Sequence, residues 1–410
     1  MTASVIFYAI IVFILIDYLL GAVLSWLNDK QWSKELPAEL SDLYDEAQYQ
    51  KARDYHKANK KVGRIGSLLS LSVSLILLLC GGFGLLDEWL RGFTEHPIPL
   101  AIAFFALLGL ASDLMGLPFE LYHTFVIEQK FGFNKTTPAT FISDKLKGYL
   151  LGAVLGGGLL SLLIWVYNWA GNWFWLLGWL AVTAVSLFLA TFATSLIMPL
   201  FNKFTPLEAG DLRQAIEQYA QKINFPLKNI FVMDGSKRSA KANAFFSGLG
   251  AQKSIVLYDT LIAEQTIPEL VAVLAHEVGH YKLKHIPQSM ILSILQTGIL
   301  FFLLGLALNR PELSEALGAK QSFHIGLLAF TLLYSPVSTL IGVLMNIFSR
   351  KNEFEADRYA RTTYDGVPLQ SALKKLSVNN LSNLTPHPLY VFVYYSHPPL
   401  LERLRALNAA

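Results

Sequence analysis

Seven long apolar runs alternate with polar segments along the chain. A helix needs roughly 20 residues to cross about 30 Å of hydrocarbon, and the runs are of that length. The first run has neither a basic stretch nor a small-residue cleavage site, which indicates a retained helix rather than a signal peptide. The pattern predicts a mostly α, polytopic membrane protein with seven transmembrane helices near residues 5–27, 66–87, 99–117, 149–170, 174–200, 288–308 and 323–348.

The polar segments divide this pattern into four parts. Residues 1–200 hold the first five helices and their loops, and residues 201–287 form a polar region with short β-type segments and one long helix. Residues 288–348 hold the last two helices, and residues 349–410 form a second polar region.

Lysine and arginine are distributed unevenly between the two sets of connections. The short loops 29–65 and 118–148 carry eight and four of them, whereas the connections on the other side carry three in total. Positive residues in short loops favour the cytoplasmic side. We therefore expect the N-terminus outside and both large polar regions in the cytoplasm.

Composition supports the membrane assignment and excludes some functions. Charged residues make up 15% of the chain, against about 25% in an ordinary soluble domain, and the mean hydropathy is +0.42. The net charge of +3 is not concentrated in a basic tract, so we expect no nucleic-acid partner. A single cysteine, Cys80, excludes an intrachain disulfide.

A well-marked helix start lies ahead of the sixth apolar run. Thr266 and Glu269 have the spacing of a capping box, and Pro268 falls in the first turn, where its missing N–H costs nothing. Apolar residues continue the pattern, which predicts a helix over residues 266–285.

That helix carries the sequence HEVGH, which has the spacing of a metal site. His276 and His280 are i and i+4, so both imidazoles face one way and are suited to zinc. Glu277 lies between them and is placed to take a proton from a zinc-bound water. The same pattern also occurs by chance on helices with exposed polar groups, so the hypothesis requires a third ligand.

Nearby residues do not supply that ligand. Metzincins have a glycine and a histidine where this chain has Leu283 and Ile286, so that class is excluded. His285 lies five residues after His280 and about 140° around the predicted helix, so we expect it to point elsewhere.

A second helical pattern, NEFEADRYA at residues 352–360, follows the last apolar run. Glu353 and Asp357 are i and i+4, so Glu353 is suited to bind zinc while Asp357 accepts an N–H from a ligand histidine. Glu355 is the competing ligand, but the residue four positions later is Tyr359 and offers no such support.

Six stretches between residues 125 and 404 resemble the type I CAAX prenyl proteases, which are seven-span zinc metalloendopeptidases that trim prenylated proteins. They occur in the order of that family and cover most of the chain. The stretches are FVIEQKFGFNKTT (125–137), PLFNKFTPLE (199–208), VMDGSKRSAKANAF (232–245), HEVGH (276–280), EFEAD (353–357) and SHPPLLERL (396–404).

The resemblance implies seven tilted helices around a water-filled chamber, with a small α+β zinc-protease region at its cytoplasmic end. It implies one zinc ion per chain, and Glu277 as the base. The ligands implied are His276, His280 and Glu353.

The resemblance also implies substrate contacts for Asn243 and His397. Segments 229–234, 242–248 and 254–259 predict a small sheet, and an extended peptide pairs readily with an edge strand. Asn243 is expected to hydrogen-bond the substrate backbone there. From the residues alone, Asn243 is typical of a strand end and His397 of a surface loop. Arg403 matches the family's C-terminal arginine, and we expect it to pair with Asp357 or Glu402.

Three features depart from the family pattern. Glu355 and Arg358 stand where the resemblance implies neutral residues, residues 201–287 form a short segment, and the C-terminus has no endoplasmic-reticulum retrieval signal. These features favour a bacterial member in the inner membrane rather than the endoplasmic reticulum, with its active site facing the cytoplasm.

The predicted function is cleavage of C-terminal tripeptides from CAAX-type proteins, prenylated or not, by a membrane enzyme that needs no oligomer. The alternative within proteases is a quality-control enzyme of the HtpX type, although those enzymes have fewer spans and lack the SHPPLLERL ending. A transporter with a vestigial metal site is a third hypothesis, in which Asp17 and Asp113 within the spans are ion sites. The presence of Glu277 beside all three candidate ligands argues against a transporter, because a transporter would have no use for a base.

Overall fold

The computed structural model of the protein describes residues 2–32, 40, 46–227, 229–247 and 254–409. Helices dominate the described residues, as the apolar pattern predicts. They are α1 Ala3–Gln31, α2 Glu46–Leu79, α3 Gly82–Arg91, α4 Pro97–Tyr122, α5 Gln129–Phe131, α6 Pro138–Leu151, α7 Gly157–Ala170, α8 Phe174–Leu196, α9 Asp211–Lys222, α10 Asp259–Glu264, α11 Ile267–Lys282, α12 His285–Leu308, α13 Pro311–Ala316, α14 Phe323–Thr363, α15 Gly366–Asn379, α16 Pro388–Tyr394 and α17 Leu400–Asn408.

Six helical segments in the described part of the chain are long and apolar enough to cross a membrane. One of them, Pro138–Leu200, contains both the fourth and the fifth predicted spans. The fourth span runs from the end of α6 through Gly152–Gly156 to the end of α7, and the fifth begins with α8. Gly171 separates them with φ 52° and ψ −122°, a conformation outside the helical region. The six segments include six of the seven apolar runs in full and the second run as far as Leu79, and a count of seven separate crossings stays a prediction.

The second predicted span, 66–87, is wrong at its C-terminal end. Helix α2 ends at Leu79, and α3 begins at Gly82. Gly81 between them has φ 66°, the left-handed conformation that terminates helices and that glycine adopts without strain. The apolar run is continuous in sequence, but the glycine pair divides it into two helices.

A core of buried aromatic and aliphatic side chains joins the membrane helices to α3 and α13. Phe104, Phe174, Ile164 and Ile325 are all nearly inaccessible within it. This core lies among α1, α4, α7, α8, α12 and the first half of α14. It fixes the direction in which α12 and α14 leave the membrane region.

A four-stranded sheet packs against α11, and Ile255 and Leu257 share a buried apolar cluster with Leu270 and Val271 of that helix. Its strands are β1 Phe204–Pro206, β2 Asn229–Met233, β3 Ala244–Ser247 and β4 Ser254–Tyr258, in the order β1-β2-β4-β3. Strands β2 and β4 are parallel, and the two outer pairs are antiparallel.

The predicted strands are present in this sheet, and β1 is an addition that the sequence analysis missed. Residues 248–253, between β3 and β4, lie outside the described residues. Strand β3 lies at one edge of the sheet and contacts α11.

Candidate metal centre

Helix α11 begins as predicted and ends earlier. The capping box of Thr266 and Glu269 is present, with the Thr266 N–H donating to Glu269 Oε2 at 2.7 Å. The helix stops at Lys282 rather than residue 285, because Lys284 adopts a left-handed conformation with φ 61° and α12 starts at His285.

Helix α14 runs without a break from the last apolar run into the NEFEADRYA segment. It is 41 residues long, so the predicted span 323–348 and the predicted helix 352–360 are parts of one rigid element. Glu353 is therefore held by the same helix that emerges from the membrane.

Small residues allow α11 and α14 to pack closely. A Cβ atom on Gly279 would lie 3.1 Å from the Ala356 Cα atom and 3.2 Å from the Ala356 carbonyl oxygen. Ala356 and Ala360 are completely buried at this contact. The close approach brings Glu353 across to the face of α11 that carries both histidines.

His276, His280 and Glu353 form the cluster of possible metal ligands found among the described residues. The two Nε2 atoms lie 3.2 Å apart. Glu353 Oε1 lies 3.2 Å from the His280 Nε2 atom, and Glu353 Oε2 lies 3.4 Å from the His276 Nε2 atom. Ligand atoms about 2.0 Å from a tetrahedral zinc ion are separated by about 3.3 Å, so this triangle fits that ion.

One buried oxygen of the cluster, Glu353 Oε2, has no hydrogen-bond partner among the described residues, and outside the cluster it has only a long ion pair to Arg403 Nη1 at 3.6 Å. Glu353 is 5% exposed. A buried carboxylate oxygen without a partner is costly, and a cation would satisfy it. The donor set of two imidazoles and one carboxylate is one that zinc accepts.

The outward-facing nitrogen of His276 is held by a buried ion pair. Asp357 Oδ1 lies 2.8 Å from His276 Nδ1, and Arg403 binds both Asp357 oxygens at 2.6 and 2.8 Å. A hydrogen on Nδ1 leaves the Nε2 lone pair directed at the cluster. Arg403 pairs with Asp357, the first of its two expected partners.

Burial and the neighbouring carboxylates shift the pKa of His276 in opposite directions. Burial lowers its pKa, but the hydrogen bonds to Asp357 and Glu353 outweigh burial and raise the pKa to about 9. A cation that binds here must displace a proton, so metal affinity falls at lower pH. Burial also raises the pKa of Glu277, against the opposing effect of the two histidines.

A cavity of about 440 Å³ opens beside the cluster. The ligand cluster and Glu277 form one wall. Apolar residues of α15 and residues at the start of β3 form others, among them Asn243, Phe245, Leu369, Leu373 and Leu376. The Glu277 carboxyl group, the possible metal ligands and the start of an edge strand therefore line the same cavity.

The two expected substrate contacts occupy different parts of this cavity. Asn243 is exposed just before β3, and its side-chain oxygen accepts a hydrogen bond from the Ala244 N–H at 2.9 Å. His397 is largely exposed, and its Nε2 atom lies 3.4 Å from Glu353 Oε1. The ring of His397 thus stands at the rim of the ligand cluster.

His285 lies outside the ligand cluster, as expected, but the break at Lys284 brings it against the back of His280. His285 does not continue α11, so the helical angle does not apply, and its Nδ1 atom lies 3.1 Å from His280 Nδ1. Glu355, the competing ligand, lies outside the cluster and contacts His285 Nε2 at 3.0 Å. Pro287 was the available signal for a break, because a proline is favoured in the first turn of a new helix.

Known proteins share this architecture over nearly the whole chain. A family model described as the CAAX prenyl protease N-terminal region with five membrane helices matches residues 27–203, and that of peptidase family M48 matches residues 206–410. CAAX prenyl protease 1 of Saccharomyces cerevisiae is 34% identical, with 94% of this chain and 92% of that protein covered. The Homo sapiens homolog is also 34% identical, with coverages of 91% and 88%. The crystal structure of S. mikatae Ste24p matches with a TM-score of 0.92 and 33% identity over 98% of each chain.

Proposed function

The chain belongs to the M48 peptidase family, in the group of the CAAX prenyl proteases, and from this premise we propose that it removes C-terminal tripeptides from CAAX-type proteins. It is a multi-pass integral membrane metalloprotease. The observation that carries the proposal is the triangle of ligand atoms, 3.2–3.4 Å on each side, beside Glu277 in one cavity.

We propose one zinc ion per chain, held by His276, His280 and Glu353. Zinc at this position supplies a Lewis acid for the scissile carbonyl and for the attacking water. Both histidines direct Nε2 at the site, and Glu353 straddles them with its two oxygens. Asp357 and Arg403 hold the His276 ring in place from behind.

Glu277 acts as the proton carrier in this proposal. Its carboxylate takes a proton from the attacking water and later delivers it to the leaving amine. Burial raises its pKa from the ordinary value, which makes the carboxylate a stronger base near neutral pH. Its place between the ligand histidines on α11 puts it on the wall of the cavity.

Strand β3 and the SHP segment position the substrate. An extended peptide is proposed to lie along the edge of β3, where the side-chain amide of Asn243 would donate hydrogen bonds to the peptide backbone. His397 stands 3.4 Å from Glu353, close enough for its ring to donate to the oxygen that becomes negative during attack.

The sidedness and source remain proposals of the sequence analysis. We propose that the cavity faces the cytoplasm, as the positive residues of the short loops indicate. The relatives reported above are eukaryotic. The features that favour a bacterial inner membrane are the short 201–287 segment and the charged residues Glu355 and Arg358.

Matched peptides with and without a farnesyl group test this function on the purified protein. We expect release of the C-terminal tripeptide from both, with the lower KM for the farnesylated peptide, since each buried CH₂ contributes about 0.8 kcal/mol. The Glu277→Gln variant serves as the inactive control. A zinc-loaded protein that cleaves neither peptide, while it cuts an unrelated membrane-protein fragment, would instead support a quality-control protease.

A further inference from the structure

His280 is linked to the surface of α14 by two further side chains. His280 Nδ1 contacts the Nδ1 atom of His285 at 3.1 Å, and His285 Nε2 contacts Glu355 Oε2 at 3.0 Å. His285 is 3% exposed, whereas Glu355 is partly exposed. We propose that His285 and Glu355 are positioning residues that fix the tautomer and ring orientation of His280, an inference that rests on the proposed metal site.

The chemistry of the three groups sets the direction of both hydrogen bonds. An ionised carboxylate only accepts, so His285 Nε2 carries the hydrogen that it donates to Glu355. A neutral His285 then has a bare Nδ1, which accepts from the Nδ1–H of His280. This leaves the His280 Nε2 lone pair directed at Glu353 and His276, as a metal ligand requires.

The backbone explains how these residues meet. The left-handed conformation of Lys284 ends α11 and turns the first residue of α12 back toward it. Helix α14 presents Glu353 to the cluster, Asp357 to His276 and Glu355 to His285. Helix α14 therefore contributes one ligand and two supporting carboxylates. Asp357 contacts His276 directly, whereas Glu355 acts on His280 through His285.

This role has a particular consequence for Glu355, which stands where the family resemblance implies a neutral residue. Groups behind a ligand histidine typically change metal affinity by about tenfold to a hundredfold when removed. A carboxylate at the end of the relay favours the Nε2–H tautomer of His285 because it cannot donate. A glutamine retains an acceptor oxygen but also presents a donor, so it specifies that tautomer less strictly.

Zinc competition with a chromophoric chelator, on the full-length protein in detergent, tests the proposal. We expect His285→Leu to weaken zinc binding about tenfold to a hundredfold, and His285→Asn to recover most of the loss because its side-chain oxygen replaces the acceptor at Nδ1. We expect Glu355→Ala to weaken binding less than His285→Leu. The visible spectrum of the Co²⁺-loaded protein should change in His285→Leu, since it reports ligand geometry.

The matched control is Arg358→Gln, an exposed position on the same helix and the other departure from the family pattern. We expect it to bind zinc like the wild type. Unchanged zinc affinity and an unchanged Co²⁺ spectrum in His285→Leu would overturn the positioning role, even if thermal stability fell. If His285→Leu does not fold, the same unchanged readouts in Glu355→Ala would overturn it. Wild-type protein that binds no zinc would instead overturn the proposed function.

Discussion

Glu353 and Glu355 lie two residues apart on α14 and face different partners. Glu353 contacts both histidines of the cluster, whereas Glu355 contacts His285 and lies near the exposed Lys351. Two carboxylates at i and i+2 of a helix point in different directions. Their substitutions therefore separate a ligand from a residue that acts through another.

Glu353→Ala should lose most of its bound zinc, because two histidines alone form an incomplete site. Glu355→Ala should stay loaded at saturating zinc, since it keeps all three ligands. Elemental analysis of the zinc-to-protein ratio after gel filtration measures both. An equal loss of zinc in the two variants would show that the ligand assignment is wrong.

Glu277→Gln should keep zinc and the fold, but its cleavage rate should fall by a factor of about 10²–10⁴. The reason is that the amide cannot carry a proton in either step. Single-turnover cleavage of the farnesylated peptide measures the loss, and the zinc content shows that the site is intact. Activity within about tenfold of the wild type would contradict a proton-transfer role of that size.

At the scale of the element, the contact between α11 and α14 determines the distance from Glu353 to the histidines. Gly279 meets backbone atoms of Ala356, and backbone cannot rotate away as a long side chain does. Helices α11 and α14 therefore behave as one rigid unit. A shift of α14 would move Glu353, the proposed third ligand, away from the histidines.

Gly279→Ala should displace α14 by a few tenths of an ångström and weaken zinc binding, at a cost in stability of about 1–3 kcal/mol from overpacking. Gly342→Ala is the control on α14, because a Cβ atom there meets nothing within 4 Å. Zinc competition and thermal unfolding measure both variants. Wild-type affinity in Gly279→Ala would show that the interface tolerates a methyl group without moving the ligand.

Glu269 of the capping box makes the stability of the folded protein depend on pH. Burial would raise the pKa of Glu269, but hydrogen bonds from Lys375, Ser371 and Thr266 lower it to about 2. A carboxyl with a depressed folded pKa stabilises the fold above its unfolded pKa of about 4.3, and this stabilisation is lost as the pH falls toward 2.

Glu269→Gln should therefore destabilise the protein at pH 7 by about 2–3 kcal/mol, and the difference from the wild type should shrink below pH 4. Thermal unfolding in detergent at pH 7 and pH 3.5 measures this difference for the two proteins. A difference that grows on acidification would mean that the ionised carboxylate does not stabilise the folded state.

At the scale of the whole molecule, sidedness is decided by which connections carry positive charge. Gln218 is exposed on α9 in the region expected in the cytoplasm, and Glu95 is exposed between α3 and α4 on the opposite side. Both are tested on a background with Cys80 replaced by serine, because Cys80 is exposed.

In sealed vesicles whose cytoplasmic face is inside, an impermeant thiol reagent should label Glu95→Cys at once. It should label Gln218→Cys only after the membrane is opened, because region 201–287 is expected on the same side as the short loops 29–65 and 118–148, whose lysines and arginines favour the cytoplasm. Mass spectrometry of the labelled protein measures both. Immediate labelling of Gln218→Cys alone would reverse the proposed orientation.

The sequence by itself determined the features that depend on short-range physics. A membrane helix must satisfy its own backbone hydrogen bonds within hydrocarbon, so the apolar runs predicted the spans. The i and i+4 spacing of His276 and His280 and the capping box at Thr266 are likewise local. The family resemblance and the metalloprotease class are confirmed on this basis.

Only the tertiary structure decided which distant groups meet. Gly279 sets how closely α14 approaches, and no local pattern reports the atoms that face a glycine across an interface. A single left-handed residue, Lys284, redirected His285 from its expected position to His280. Backbone torsions and helix contacts are set by the packing of the whole chain, so the residues behind each ligand became visible only once α11, α12 and α14 were in place.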